Sequence, residues 1–341
     1  MQPETDFEEK PKPQVLWPSP PDTPRLLYET ALRRPADIAT KSEEDSLREQ
    51  LTGEAAGTQP AFQKPGALAA ARGRVYIADT VGRQVVVFDI PRRKVFHFGF
   101  RSPGSIVKPS GIALDGKMNV YVSDTTQRIV QVYDGLGLFL KTIGGAKELE
   151  RPVGVAVNKA GTRIYVVDRA SNESNRHRVV IYDGDNNKLG EIGGRGSAQG
   201  QFNVPLAAAM GPDDTLHVLD SGNFRVQIFD QDGRFLRSFG RVGTGLGNFA
   251  RPRGLAVDRE GNVYVTDANF GNFQIFNKEG ELLLPLGQIA RLDAPGRYAL
   301  IAGIAVDETG HIFVADQYFN KIEVFRRLSD VEAKRLRDAA E

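Results

Sequence analysis

Cysteine is absent from the 341 residues. That excludes a disulfide framework, a zinc–thiolate site, a thiol nucleophile and c-type haem attachment. Long apolar runs are missing too: nothing approaches the roughly 20 consecutive residues of a membrane-spanning helix. Neither sign of charge is in excess, with 44 basic against 43 acidic residues and a net charge of +1. Bulk attraction to nucleic acid is therefore not expected, while a local patch stays open. Histidine occurs 4 times and tryptophan once. Glycine is abundant instead, at 36, the mark of many turns. An apolar content of 40% rules out disorder of the whole chain and lets it bury most of the surface its unfolded form exposes. The length suits one large or two ordinary domains. Met1 is followed by the polar, acidic run QPETDFEEK, without the apolar segment of a secretory signal. That leaves a cytoplasmic protein or a processed form of an exported one.

Proline is crowded at one end, with 8 of 19 inside residues 1–35. Proline lacks the backbone donor and fixes φ, so PKPQVLWPSPPDTP is expected neither to pair as a sheet nor to wind as a helix. Residues 1–24 read as an extended polyproline tether. Trp17 either docks on the folded body or lies exposed.

From Lys64 to Leu328 the sequence repeats itself, in phrases such as KPSGIALDGKMNVYVSDTTQRIVQVYD and RPRGLAVDREGNVYVTDANFGNFQIFN. Six aspartates anchor the copies: Asp79, Asp124, Asp168, Asp220, Asp267 and Asp316, with gaps of 45, 44, 52, 47 and 49 residues. Each unit holds three strand patterns, and most hold a fourth, separated by Asp-Gly and Glu-Gly turns that suit hairpins. Four antiparallel strands per unit, six times over, predict an all-β, six-bladed propeller. A four-stranded sheet cannot bury both faces alone, but six packed radially can. The sixth unit lacks a fourth strand, because SDVEAKRLRDAAE is helical, with Ser329 and Glu332 at capping-box spacing. RLLYETA, residues 25–31, matches the fourth-strand phrase RFLRSFG. It is expected to close blade six from the N-terminus and so remove an exposed edge. The predicted organisation is a Pro-rich tether over 1–24, a propeller over 25–328 with a helical insertion at 41–63 (a short helix near Ser42–Leu51), and a C-terminal helix over 329–341.

The unit P-x-G-[I/L/V]-A-V-D-x-x-G-N-[I/V]-Y-V-x-D-x-x-N-x-R-[I/V]-x-[V/I]-F resembles the NHL repeat over residues 65–328, and the fifth copy matches most of its positions. No Trp-Asp signature or Kelch double glycine recurs. The phrase LWPSPPDTPRLLYETALRRPADI resembles the leader of bacterial cell-envelope NHL proteins, often encoded beside multihaem cytochromes, though the lipidated cysteine of such leaders is absent. The resemblance implies an exported protein of the periplasm or outer surface, with a cytoplasmic location as the alternative. It implies a non-catalytic protein-binding scaffold whose partner is a protein such as a multihaem cytochrome complex. Two rivals follow from the same resemblance. One is a metal-dependent lyase or lactonase with its ion in the axial channel; the other is a single-stranded RNA-binding domain, which the bacterial-style leader and the absence of accessory zinc ligands disfavour.

The six aspartates are read as structural turn caps, each bonding the amides of the turn that follows; on separate blades they are too far apart to share an ion. On that reading, Asp267→Ala costs about 1 kcal/mol. Asp115, Asp258 and Asp307, at the ends of first strands, read the same way, with a channel-mouth cation site as the alternative. Zinc in NHL-like amidating lyases needs several histidines, and His97, His177, His217 and His311 sit in four different blades. No catalytic, cofactor or metal residue is therefore assigned. Glycine loops such as GGRGSAQGQF lack the Lys-Ser/Thr of a phosphate-binding loop and read as blade crossovers. The candidate binding face is the rim that carries these crossovers and the turns between second and third strands. Its aromatics are Phe224, Phe270, Tyr318 and Phe319, and its cations Lys108, Arg151, Arg251, Arg225 and Lys321. Lys64 and Arg253 accompany them, and Arg83, Arg128, Arg169, Arg176 and Arg178 lie on the same rim. Phe224, Phe270 and Phe319 are expected to form one patch with Arg225 and Lys321 across blades four to six. Two alternatives stay open: the aromatics pack beneath the crossovers, and several cations pair with the turn aspartates.

Overall fold

A computed structural model describes residues 14–39, 47, 50, 51 and 57–339. The second and third strands of each repeat are rich in Val, Ile, Tyr and Phe, which suit a pleated surface packed on both sides. In blade one these strands are Arg74–Asp79 and Gln84–Asp89, where Val75 to Ala78 and Val85 to Phe88 are all fully buried. The first strand, Pro65–Ala71, lies innermost and the fourth, Lys94–Phe98, outermost. The same antiparallel order recurs from Pro109–Leu114 to Phe139–Ile143, Pro152–Val157 to Lys188–Gly193, Pro205–Met210 to Phe235–Phe239, and Pro252–Val257 to Leu282–Leu286. Six apolar clusters hold the ring, each shared by two neighbouring blades and one joining blade six to blade one. The core is thus a series of wedges between blades, as expected of sheets that cannot bury both faces alone.

The P-x-G phrase explains how the innermost strands meet. Register shifts where it enters the first strand, between Pro109 and Gly111 for instance. A Cβ on Gly111 would stand 2.7 Å from the Gly154 Cα, and one on Gly254 would stand 2.6 Å from the Ala302 carbonyl. Neighbouring backbones touch there, and only glycine leaves the room.

Blade six is completed from the N-terminus. Ile301–Val306, His311–Asp316 and Lys321–Arg327 are its first three strands, and Leu26–Leu32 pairs antiparallel with the third, from Leu26 opposite Arg327 to Leu32 opposite Ile322. Leu26 and Leu32 are buried. Glu29 reaches Arg326 at 3.0 Å and His311 at 3.4 Å.

The tether expectation is corrected at its end. Leu16–Trp17 forms a short fifth strand against Leu26 and Leu27. The prolines around it do not prevent this, because neither paired residue is a proline: the Trp17 carbonyl accepts from the Arg25 amide at 2.6 Å. Trp17 docks, edge-on to Phe325 at 5.5 Å, with its indole against Gly296. Residues 1–13, and most of the helix expected near Ser42–Leu51, lie outside the described residues.

At the other end Asp330–Asp338 is helical, capped by the Ser329 hydroxyl, which accepts from the Glu332 amide. The second half of the expected capping box is not made. The Glu332 carboxylate turns instead to Arg326, with bonds of 2.9 and 2.7 Å, and so ties the helix to the closing strand pair.

Candidate binding face and axial funnel

Each anchoring aspartate ends a second strand, fully buried, and does more than cap a turn. Asp267 accepts the turn amides of Asn269 and Phe270, and also the amides of Ala250 and Arg251 on the incoming crossover, at 2.8–3.4 Å. Asp124 and Asp316 do the same, each with two crossover and two turn amides. Asp79 holds the amides of Gln63, Lys64 and Gly82. Asp168 and Asp220 each give part of this capacity to a third-strand arginine, Arg178 and Arg225. The carboxylates therefore staple the crossovers to the turns and fix the whole rim. Because loss of the carboxylate strands several buried donors, Asp267→Ala is expected to cost about 3 kcal/mol rather than the value of one cap. Denaturant midpoints check this, and a loss below about 1 kcal/mol would mean that the freed amides find other partners.

The expected aromatic–cation patch does not assemble. Lys321 is 0% exposed: its Nζ lies 2.8 Å from Asp293 and 2.7 Å from Glu323, and bonds the carbonyls of Ala294 and Arg297. Arg225 is consumed by Asp220 at 2.9 Å and by the carbonyls of Ala198 and Gln201. Both are removed from the face, because the crossover folds over the start of the third strand and supplies the partners. Phe224 is half-buried in the wedge between blades four and five. Phe270 and Phe319 are also half-buried, the latter 5.4 Å from Lys321 in a cation–π contact. Tyr318 alone of the four aromatics is well exposed, at 70%.

The apolar surface of this face comes instead from the crossovers themselves. Phe100, Val242, Leu246, Ile289 and Leu292 are all exposed, Leu292 at 82%. Sequence reading passed over them because an isolated apolar residue in a glycine-rich loop carries no periodic signal.

Inside this rim the first strands enclose a funnel on the axis, of about 280 Å³. Its cations come from three repeat positions, though not from every blade: the residue before the first-strand proline, the residue after it, and the residue after the anchoring aspartate. Lys108 and Arg151 come from the first, Arg253 from the second and Arg169 from the third. Among the described residues the wall holds no carboxylate, and none pairs with these four cations. Burial lowers the Arg169 pKa, with Arg151 adding repulsion; Arg253 is lowered by burial and then by Arg251 and Arg169. The Arg169 Nε is buried without a hydrogen-bond partner. Arg251 lies exposed beside the funnel mouth.

The histidines are dispersed. His177 is buried, its Nδ1 accepting from the Val204 amide at 3.0 Å and its Nε2 lying 3.1 Å from the Ser171 carbonyl oxygen. Burial pushes His217 down to about 4, while Asp307 and Glu29 raise His311 to about 9. His97 stacks near Phe100 on the exposed outer strand of blade one. Asp115, Asp258 and Asp307 each hold the amides of their own turns, and Asp258 also meets Arg327 at 3.0 Å. Among the described residues no three acidic or histidine side chains come together in a metal-binding group. The funnel wall offers four cations and the neutral oxygens of Thr80, Ser110, Thr125 and Gln317, but among the described residues no carboxylate or imidazole.

The NHL repeat family model matches residues 249–276, from the crossover into blade five through its third strand. The protein brain tumor of Drosophila melanogaster is 31% identical over 138 residues, which span 39% of this chain and 12% of that protein. Among solved structures, a gluconolactonase from Xanthomonas campestris superposes with a TM-score of 0.57 at 19% identity, over 88% of this chain and 98% of that one. Virginiamycin B lyase from Staphylococcus aureus gives 0.55 at 12%, over 78% and 96%. Hydrazine synthase of Kuenenia stuttgartiensis gives 0.55 at 14%, over 79% and 97%. At these identities the solved structures share the propeller fold.

Proposed function

We propose that this six-bladed propeller, which carries an NHL repeat in blade five, is a non-catalytic protein-binding scaffold that meets its partner with the crossover face. The observation that carries the reading is the set of apolar side chains held out on rigid loops of that face, Phe100, Val242, Leu246, Ile289, Leu292 and Tyr318. Loops of this kind ordinarily present polar groups, and apolar side chains exposed on several loops of one face favour an interaction surface. The stapling aspartates hold these loops in place before binding, which keeps the ordering cost of association low. The axial funnel, with four cations and neither carboxylate nor imidazole among the described residues of its wall, supports binding over metal-assisted catalysis. We place the protein in the cell envelope, beside exported redox complexes such as multihaem cytochromes, on the resemblance of its Pro-rich leader. Fractionation of cells expressing the full chain tests that location.

The binding role is tested with immobilised protein and an envelope extract of the source organism. Leu246→Asp with Leu292→Asp is expected to reduce retention of the captured partner at least tenfold, about 1.4 kcal/mol. Leu136→Asp with Leu138→Asp, on exposed positions of the opposite face, is expected to leave it unchanged. Equal retention by both variants would contradict the assignment of the face, and retention abolished by ribonuclease would favour the RNA-binding reading.

A further inference from the structure

We propose that the axial funnel is a binding site for one small multivalent oxyanion, a di- or tricarboxylate in chemistry, seated between the arginines of blades three and five. The funnel belongs to the face assigned above, but the inference rests on a separate set of residues.

Placement within the repeat shows why this site differs from a generally basic surface. Blade three sends Arg151 and Arg169 to the funnel, and blade five sends Arg253. Blade four, between them, supplies aliphatic carbon from Leu206, Ala207 and Ala208. With Lys108 of blade two beside the blade-three arginines, the result is a cationic side facing Arg253 across an apolar strip. That arrangement suits charged ends joined by a short carbon skeleton better than it suits bare phosphate. Guanidinium groups are matched to carboxylates by their planar fork of donors. The funnel volume is about 280 Å³. It admits a small molecule.

Several buried or half-buried cations elsewhere in the molecule are neutralised by the chain itself. Arg74 has Asp89, Arg178 has Asp168 and Glu191, and Lys321 has Asp293 and Glu323. The funnel differs from them: Arg169 is half-buried without a carboxylate, and Lys108, Arg151 and Arg253 stand exposed on the same wall. Four cations share one small volume without a carboxylate, and the Arg169 Nε is shut away from water with nothing to bond. Burial and mutual repulsion both act against the charged forms of Arg169 and Arg253. The folded protein carries this cost, and an anion in the funnel would remove it. Local violations of otherwise consistent design are characteristic of functional sites.

Isothermal titration of the full chain at low ionic strength tests the site, with citrate, pyrophosphate and sulfate as probes and no protein partner present. Citrate is expected to bind one per chain and at least tenfold tighter than sulfate. Arg169→Gln with Arg253→Gln should weaken citrate at least tenfold. Lys64→Gln, which alters an exposed cation of the same face outside the funnel wall, should change it less than twofold. Without ligand, the double variant should melt higher than the parent, by about 1–2 °C, because repulsion is relieved; a structural role for the arginines would lower it. Pyrophosphate tighter than citrate would overturn the carboxylate assignment in favour of a phosphate ligand. Absence of binding by either probe at millimolar concentration, citrate binding insensitive to the double variant, or a lower melting temperature would overturn the site itself. Partner capture by the double variant separates the two readings: citrate binding can fail while capture by the apolar loops persists, and the reverse.

Discussion

Removal of residues 1–32 is expected to leave a chain that does not fold to a stable monomer. Leu26–Leu32 supplies the outer strand of blade six, pairs along the length of Lys321–Arg327, and buries Leu26 and Leu32 almost completely. Tyr28 packs edge-on to Phe325 at 5.7 Å. Two buried leucines alone are worth about 3–6 kcal/mol, against a total stability on the order of 5–15 kcal/mol for a folded protein. The truncation also bares the edge of a third strand whose neighbours form one side of the wedge joining blades six and five, and an unpaired edge templates aggregation. Two shorter truncations calibrate the result. Loss of residues 1–13 sets the baseline for the series. Loss of residues 1–20 should lower it by a few degrees, because Trp17 and the fifth strand go with it. Thermal unfolding and size-exclusion profiles of the three chains check this. A chain lacking 1–32 that melts like the parent would refute closure by the N-terminal strand.

Lys321→Met is expected to be the most damaging single substitution, at about 4 kcal/mol. The ammonium is fully buried and is bonded by two carboxylates and two carbonyls. Methionine fills the space of the stem but strands Glu323, whose side chain is 1% exposed and whose pKa burial already raises. Asp293 keeps Arg33 as a partner, so the loss falls mainly on Glu323. Adding Glu323→Gln should return part of the stability, since a neutral amide costs less to leave in the interior than an unpaired carboxylate. Urea denaturation of the two single variants and the double variant gives the coupling. Additive losses would mean that the buried pair is not the source of the effect.

Much of the architecture could be read because the propeller repeats one solution six times. The anchoring aspartate and the strand patterns recur at steady spacing, the glycine of the P-x-G phrase in four of the six copies, and each answers a local demand: a turn to cap, a wedge to fill, a backbone contact to permit. The closing strand was legible for the same reason, since RLLYETA carries the pattern of the outer strands in the other blades. What escaped was set by long-range contact without a repeating signal. Leu16–Trp17 pairs despite its prolines because a partner strand lies within reach. Lys321 looks like a rim cation in the sequence, and only the crossover carrying Asp293 buries it. The rim cations Lys108 and Arg151 could be placed from their position before the first-strand proline, but their convergence with Arg169 and Arg253 on the axis belongs to three different repeat positions. Comparing those positions ring by ring, rather than along each blade, is the signal that would have found the funnel.

Hydrogen exchange of the chain with its captured partner bound tests the assignment of the binding face most directly. Crossover segments 240–251 and 287–300 and the turn around Tyr318 should gain protection, while the opposite turns at 134–138 and 183–187 should exchange as in the free protein. Protection confined to the opposite turns, with the crossovers unchanged, would contradict it.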